Sequence, residues 1–155
     1  MRQTINVSKG HIDGIIKKID ESKYFLLDKS SVDRVGLFNF ALALGLKEGV
    51  PTPLKSSTSF TRVSYVEDKL FMYRGLFYEK LLKDKPDDVD TIADLDLVID
   101  FVEEYANTGF YKLNQFMQEF PDDSMFMLKL LNEMDIIQKE YLNHYQVSSL
   151  INDDV

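Results

Sequence analysis

The sequence predicts an all-α protein: a mainly helical single domain of five or six helices around one buried central helix, with at most one short N-terminal strand. Apolar residues recur at helical spacing in several segments, and capping patterns mark the ends of these segments. The chain has 155 residues, 45% of them hydrophobic, which is enough for one core. We therefore expect one domain over residues 1–147 and a flexible acidic tail over 148–155.

The N-terminal segment combines a strand pattern with a helix pattern. Residues 3–7 alternate as a short strand does, with Ile5 and Val7 on one side. Ser8 can then cap a helix over about 9–22. The apolar face of this helix consists of Ile12, Ile15, Ile16 and Ile19.

The segment from Ser30 to Gly49 predicts the central helix. Ser30 and Asp33 form a capping pattern at its start, Gly49 can adopt the left-handed conformation at its end, and Pro51 prevents its continuation. Apolar side chains point in every direction around this helix, so other elements must surround it. Asn39 is strongly polar, and it needs a hydrogen-bond partner if it is buried.

The remaining segments are separated by turn residues and capping patterns. The predicted elements are a loop over 49–64, a helix over 64–82, a helix over 91–106, a short apolar segment over 110–120 and a last helix over about 123–145. Two prolines and seven hydroxyl residues predict the loop. Ser64 and Thr91 begin capping patterns, and Asn107 with Gly109 is expected to end the fourth helix.

Charge is distributed unevenly along a chain whose net charge is −8. Residues 1–64 carry ten Lys/Arg against six Asp/Glu, whereas residues 65–155 carry eight against twenty. The two halves therefore face different electrostatic partners, or each other.

Carboxylates line the fourth helix opposite its apolar face. We predict that a basic partner docks on this acidic face, which consists of Asp96, Asp100, Glu103 and Glu104. A plain solvated helix face and a divalent-cation site are the alternatives.

The hydroxyl-rich loop is a second candidate partner-binding segment because it contains two cations and no acid. Its candidate residues are Lys55, Ser57, Thr58 and Arg62. A solvated linker pinned by Phe60 is the alternative.

Catalytic chemistry has no visible signature in the sequence. The chain has no cysteine, and its two histidines, His11 and His144, have polar neighbours, so we expect both on the surface. No phosphate-binding, nucleophile-elbow or zinc-protease motif is present. We predict no catalytic residue, no metal, no cofactor and no enzymatic activity. The lack of cysteine and of a long apolar run also predicts a cytoplasmic protein without membrane contact.

The stretches "RQTINVS", "KGHIDGIIKKIDE" and "SVDRVGLFNFALALGL" follow the order strand, helix, helix. This order, over about residues 2–46, resembles a ribbon–helix–helix DNA-binding module, whose strand pairs across a dimer and enters the major groove. The apolar second helix would form the dimer core, and a connector at 23–29 is longer than the family's tight turn. The resemblance implies DNA contacts from Arg2, Gln3, Thr4, Asn6 and Lys9.

These observations predict a non-catalytic interaction protein: an adaptor, regulatory subunit or inhibitor that docks on a macromolecular partner. Composition associates it with bacterial or phage systems that handle nucleic acid or act in defence. A protein is the expected partner, and a homo-oligomer is compatible with the sequence. DNA binding through the N-terminal segment is the alternative function.

Overall fold

The computed structural model describes residues 2–21 and 33–152, and these form a mainly helical protein, as predicted. The strands are β1 (Thr4–Ser8) and β2 (Ser57–Arg62). The α-helices are α1 (Lys9–His11), α2 (Lys17–Glu21), α3 (Arg34–Glu48), α4 (Leu70–Asp84), α5 (Leu95–Glu119) and α6 (Asp123–Asn152). A π-helical turn covers Ile12–Ile16, and 3₁₀ segments cover Val63–Lys69 and Pro86–Ala93. None of the helices in the described ranges combines the length and apolar character that a membrane span requires.

The chain divides into two compact units, Met1–Asn114 and Gln115–Val155. The first unit contains both strands, α1 to α4 and most of α5. The second contains the end of α5 and all of α6.

Strands β1 and β2 form an antiparallel pair in the first unit. Ile5 lies opposite Thr61 and Val7 lies opposite Thr58, with an irregularity in the register after Ile5. Ile5 and Val7 are buried, as the alternation predicted. The predicted loop over 49–64 is wrong at β2, because a segment of β-branched and hydroxyl residues becomes a strand when β1 pairs with it.

The helical segment after β1 is continuous but irregular. α1 passes into the π-helical turn, where Gly14 has φ −108° and ψ −107°, and then into α2. Of the predicted apolar face, Ile15, Ile16 and Ile19 are buried, and Ile12 is half-buried. The predicted connector at 23–29 lies outside the described residues.

Both ends of α3 carry the expected capping groups. The Asp33 carboxylate accepts the Gly36 N–H at 2.9 Å, and Gly49 adopts the left-handed conformation with φ 81°. Ser30, the other predicted capping residue, lies outside the described residues. The amide oxygen of Asn39 accepts a 2.6 Å hydrogen bond from the Tyr73 hydroxyl, which supplies the partner that this polar residue needs.

Helices α3 and α5 approach each other at two glycines. A Cβ on Gly45 would lie 1.7 Å from the Tyr105 carbonyl oxygen, and a Cβ on Gly109 would lie 1.6 Å from the Ala41 carbonyl oxygen. The prediction that Asn107 and Gly109 end a helix is therefore wrong. α5 continues to Glu119, and Gly109 allows α3 to pack against its backbone.

The starts of α4 and α5 differ from the predicted capping sites. A 3₁₀ segment precedes each helix, so Ser64 and Thr91 lie before the α-helical residues. The Asp94 carboxylate, rather than Thr91, accepts a hydrogen bond from the first turn of α5, at the Asp96 N–H (2.9 Å).

In the second unit, Asp122 caps α6. Its carboxylate accepts the N–H groups of Ser124 at 3.0 Å and Met125 at 3.2 Å. The backbone of α6 is helical as far as Asn152, so it includes the first residues of the predicted tail, whereas residues 153–155 lie outside the described part of the chain. The predicted flexibility of that tail stays a prediction.

Candidate functional site

Strand β1 is held against α5 by carboxylates of the acidic face. Glu103 accepts the Asn6 N–H at 2.6 Å, and Asp96 accepts the Arg2 N–H at 3.2 Å. The Arg2 guanidinium also forms ion pairs with Asp100 and Glu103. The basic N-terminus and the acidic helix thus pair with each other within one chain.

Glu103 is buried at the centre of this arrangement, with 4% of its surface exposed. Burial raises the pKa of its carboxyl to about 7, although the Asn6 N–H and the Arg2 charge favour the ionised form. The expectation that Glu103 lies opposite the core is wrong. Glu103 follows the buried Ile99 by four residues, which places it on the core side of α5.

The pairing limits how much of the acidic face is open. Asp96 and Asp100 are exposed, and Glu104 is half-buried. Asp100 and Glu103 are already bound to Arg2, so a basic partner would compete with the chain's own N-terminus. Docking on this face stays a prediction.

The predicted DNA-contacting residues are divided between two surroundings. Arg2 pairs with α5, and β1 is paired with β2 of the same chain. Gln3 and Lys9 are exposed, whereas Thr4 and Asn6 are half-buried. DNA binding and the ribbon–helix–helix resemblance stay predictions.

A second polar cluster is buried where β1 meets the helical segment that follows it. The Asn107 amide oxygen contacts His11 Nε2 at 2.7 Å and accepts the Ser8 hydroxyl at 2.9 Å. The Asn107 amide nitrogen donates to the carbonyl oxygens of Thr52 (3.0 Å) and Pro53 (3.1 Å). This orientation assigns the His11 proton to Nε2.

His11 is 5% exposed, so the prediction of a surface histidine is wrong at this position. It precedes the buried Ile15 by four residues, which places both on one helix face. Burial lowers the pKa of His11, against the opposing effect of its bond to Asn107. The side chain of His144 lies outside the described part of the chain.

His11 also lines an open concavity of about 470 Å³. This concavity brings together Lys9 and Lys55, which the sequence analysis assigned to two different candidate surfaces. The other lining residues are Ser8, Gly10, Asp13, Ile15, Ser56, Tyr111 and Asn114.

The other loop candidates are not part of this concavity. Ser57 and Thr58 belong to β2, where they lie opposite Ser8 and Val7. Arg62 ends β2, opposite Thr4. The structure therefore does not group the four predicted loop residues into one site.

Helix α4 presents an apolar face to solvent. Phe71 is 89% exposed, Leu82 is 49% exposed and Tyr78 is 41% exposed. Together with Met72 and Gly75 these residues form what we call the outer face of α4. A Cβ at Gly75 would meet nothing within 4 Å, so the centre of this face is open.

The sequence analysis did not identify the outer face of α4, although a signal for it exists. Phe71, Gly75, Tyr78 and Leu82 are spaced by four, three and four residues, which places them on one helical stripe. Tyr73 and Leu81 are buried on another side of α4. When a helix has two apolar stripes, its sequence alone does not show which stripe faces the core.

Comparison with known proteins finds no matching family model, curated protein or solved structure. Within the described ranges, no three His, Cys, Asp or Glu side chains are grouped as a metal site requires.

Proposed function

We propose that this chain is a non-catalytic interaction protein that binds a helix of a partner protein on the outer face of α4. One observation carries the proposal: an apolar stripe on α4, formed by Phe71, Tyr78 and Leu82 around Gly75, is exposed to solvent. Apolar stripes of this kind on a soluble domain mark interaction sites, whereas isolated exposed apolar residues do not.

The spacing of the stripe supports a helical partner. Alternating four- and three-residue steps from Phe71 to Leu82 are the pattern by which helices pack side by side. Large side chains stand on both sides of Gly75, so a side chain from the partner helix can enter the gap above this glycine.

The inner side of α4 supports the proposal because it is fixed by the chain's own core. Tyr73 is buried and bonded to Asn39, and the Phe77 ring lies 5.1 Å from the Phe101 ring. A helix held in this way presents its outer face without reorganisation, which lowers the entropic cost of binding.

Site-specific photo-crosslinking in the native cells tests this proposal. A benzoyl-phenylalanine replaces Phe71 in one variant and Tyr78 in a second, and adducts are mapped by mass spectrometry. We expect both positions to capture the same partner at one helical segment. Val50, which is 64% exposed and lies outside α4, is the control position and should not capture that partner.

The captured partner is then purified and titrated against Phe71→Ser, Leu82→Ser and Val50→Ser. We expect the two α4 variants to weaken affinity by about tenfold or more each, because each removes a buried apolar contact worth about 1.5–3 kcal/mol. Val50→Ser should retain the wild-type affinity. The absence of adducts from positions 71 and 78, or equal adducts from position 50, contradicts the proposal.

A further inference from the structure

The concavity between β1, α1 and the segment before β2 has a fixed framework. The Lys55 N–H donates to the Ser8 hydroxyl oxygen at 3.0 Å, and the Lys9 N–H donates to the Ser56 carbonyl oxygen at 3.1 Å. Asn107 fixes both Ser8 and His11 from below. The backbones that carry the two lysines are therefore positioned before any ligand arrives.

The charges around the concavity favour an anionic ligand. Lys9 and Lys55 are exposed, and within residues 2–21 and 33–152 neither has an ion-pair partner. Asp13 is the acid among the lining residues, and burial disfavours the charged form of His11 by lowering its pKa. Two ammonium groups against one carboxylate leave a net positive charge at the rim.

An aromatic ring and polar groups complete the lining. Tyr111 is 42% exposed, and its ring is held edge-on to His11 at a centroid distance of 4.6 Å. Such a fixed, half-exposed ring can stack against a planar group. The Ser56 hydroxyl and the Asn114 amide can donate hydrogen bonds, and Asp13 can accept them from hydroxyl groups.

We propose that this concavity binds a nucleoside monophosphate. Lys9 and Lys55 hold the phosphate, because lysine binds phosphate as a point charge. The base stacks on Tyr111, and Asn114 and Asp13 contact its polar edge and the ribose. The volume of about 470 Å³ falls within the range of small-ligand sites, which is about 300–1,000 Å³.

This proposal is independent of the outer face of α4 and can be tested on the isolated chain. Isothermal titration calorimetry at low salt measures binding of the four ribonucleoside monophosphates, the matching nucleosides and inorganic phosphate. We expect at least one monophosphate to bind about tenfold more tightly than its nucleoside. Its affinity should fall as the salt concentration is raised.

Three variants locate the binding. The double variant Lys9→Ala/Lys55→Ala should bind the monophosphate about tenfold or more weakly, since charge-assisted hydrogen bonds contribute about 1.5–3 kcal/mol each. Tyr111→Ala should lower the affinity for the monophosphate and leave the affinity for inorganic phosphate unchanged. Lys83→Ala removes the same charge from α4 and should change nothing. Unchanged circular dichroism confirms that the variants are folded.

Three results would overturn the proposal. They are no binding of any monophosphate by the wild type, equal affinity of the double-lysine variant and the wild type, and equal affinity for inorganic phosphate and the monophosphates.

Discussion

Helices α5 and α4 differ in how much of their surface the chain itself covers. Along α5, Glu103 bonds to β1, Asn107 bonds to the segment before β2, and Gly109 lies against α3. Along α4, the inner side packs in the core and the outer face is open. Each of these three α5 residues therefore has a partner within the chain, whereas the described chain leaves Phe71, Tyr78 and Leu82 of α4 exposed.

The glycines show this difference most clearly. A glycine inside a helix destabilises it by about 0.5–1 kcal/mol relative to alanine. At Gly109 the close approach of α3 requires this residue, because any side chain would collide with the Ala41 backbone. At Gly75 no atom lies near enough to require it. Packing therefore requires glycine at position 109 and does not require it at position 75.

The largest expected effect on stability is at Gly109, which lies against the backbone of α3. Gly109→Ala should destabilise the protein by about 3 kcal/mol or more, because its Cβ would overlap backbone atoms that cannot move independently. Gly45→Ala should behave similarly. Urea unfolding followed by circular dichroism measures both. A loss below about 1 kcal/mol for both would break the comparison, since α3 and α5 would then not be closely packed.

The next effect concerns the carboxylate that α5 buries. Glu103→Ala should destabilise the protein by about 2 kcal/mol, because the Asn6 N–H loses its acceptor and Arg2 loses a partner. Asp96→Ala is the matched control on the exposed part of the same helix, and it should cost much less. Equal losses of stability in the two variants would show that the burial of Glu103 does not determine its contribution to stability.

Glu103 also predicts a pH dependence. Its pKa is raised from 4.5 to about 7 in the folded state, so the folded state binds a proton more readily than the unfolded state. Its contribution to stability is therefore full below about pH 4.5 and is lost as pH rises through about 7. Glu103→Gln keeps an acceptor and should remove this slope between pH 5 and 8. An unchanged slope in the variant would contradict the assignment.

His11 should produce a slope of the opposite sign. Its pKa is lowered from 6.5, so its contribution is present above pH 6.5 and is lost as pH falls through the folded-state value. His11→Gln retains a donor for Asn107 and removes the titrating group. Unfolding curves between pH 4 and 7 should show less acid sensitivity in this variant. Greater acid sensitivity would mean that the histidine is charged in the fold.

Local signals predicted which segments of the first unit are helical, but they misplaced the starts of α4 and α5 and the end of α5. Asp33 and Gly49 cap α3 because capping depends on neighbouring residues in the chain. Gly109 was misread as a helix end because glycine has the same local meaning whether it stops a helix or admits another one. That distinction depends on α3, which lies more than 60 residues away in the sequence.

The candidate site was predictable in part. His11 and Glu103 each lie four residues from a buried isoleucine, so their burial could have been read from helical spacing. The joining of Lys9 and Lys55 in one concavity could not, because it depends on the pairing of β1 with β2. Exposure of the outer face of α4 likewise depends on which of its two stripes the core selects.

The smallest expected effect on stability is at Gly75, where no neighbouring atom lies within 4 Å of an added Cβ. Gly75→Ala should stabilise the protein by about 0.5–1 kcal/mol, because alanine is the better helix former and its Cβ meets no neighbour. Thermal unfolding of Gly75→Ala and Gly109→Ala compares the same substitution at an open and at a closely packed position. A destabilised Gly75→Ala would mean that this face is covered by the chain itself.

Photo-crosslinking from position 71 in a Gly75→Leu background tests the central claim most directly. A Cβ at position 75 meets no neighbour within 4 Å, so this position on the outer face of α4 has room for a leucine side chain. We expect the variant to be at least as stable as the wild type in thermal unfolding, while the adduct to the partner helix is lost. A stable variant that still forms the same adduct at the wild-type yield would contradict the claim that a partner helix packs over Gly75.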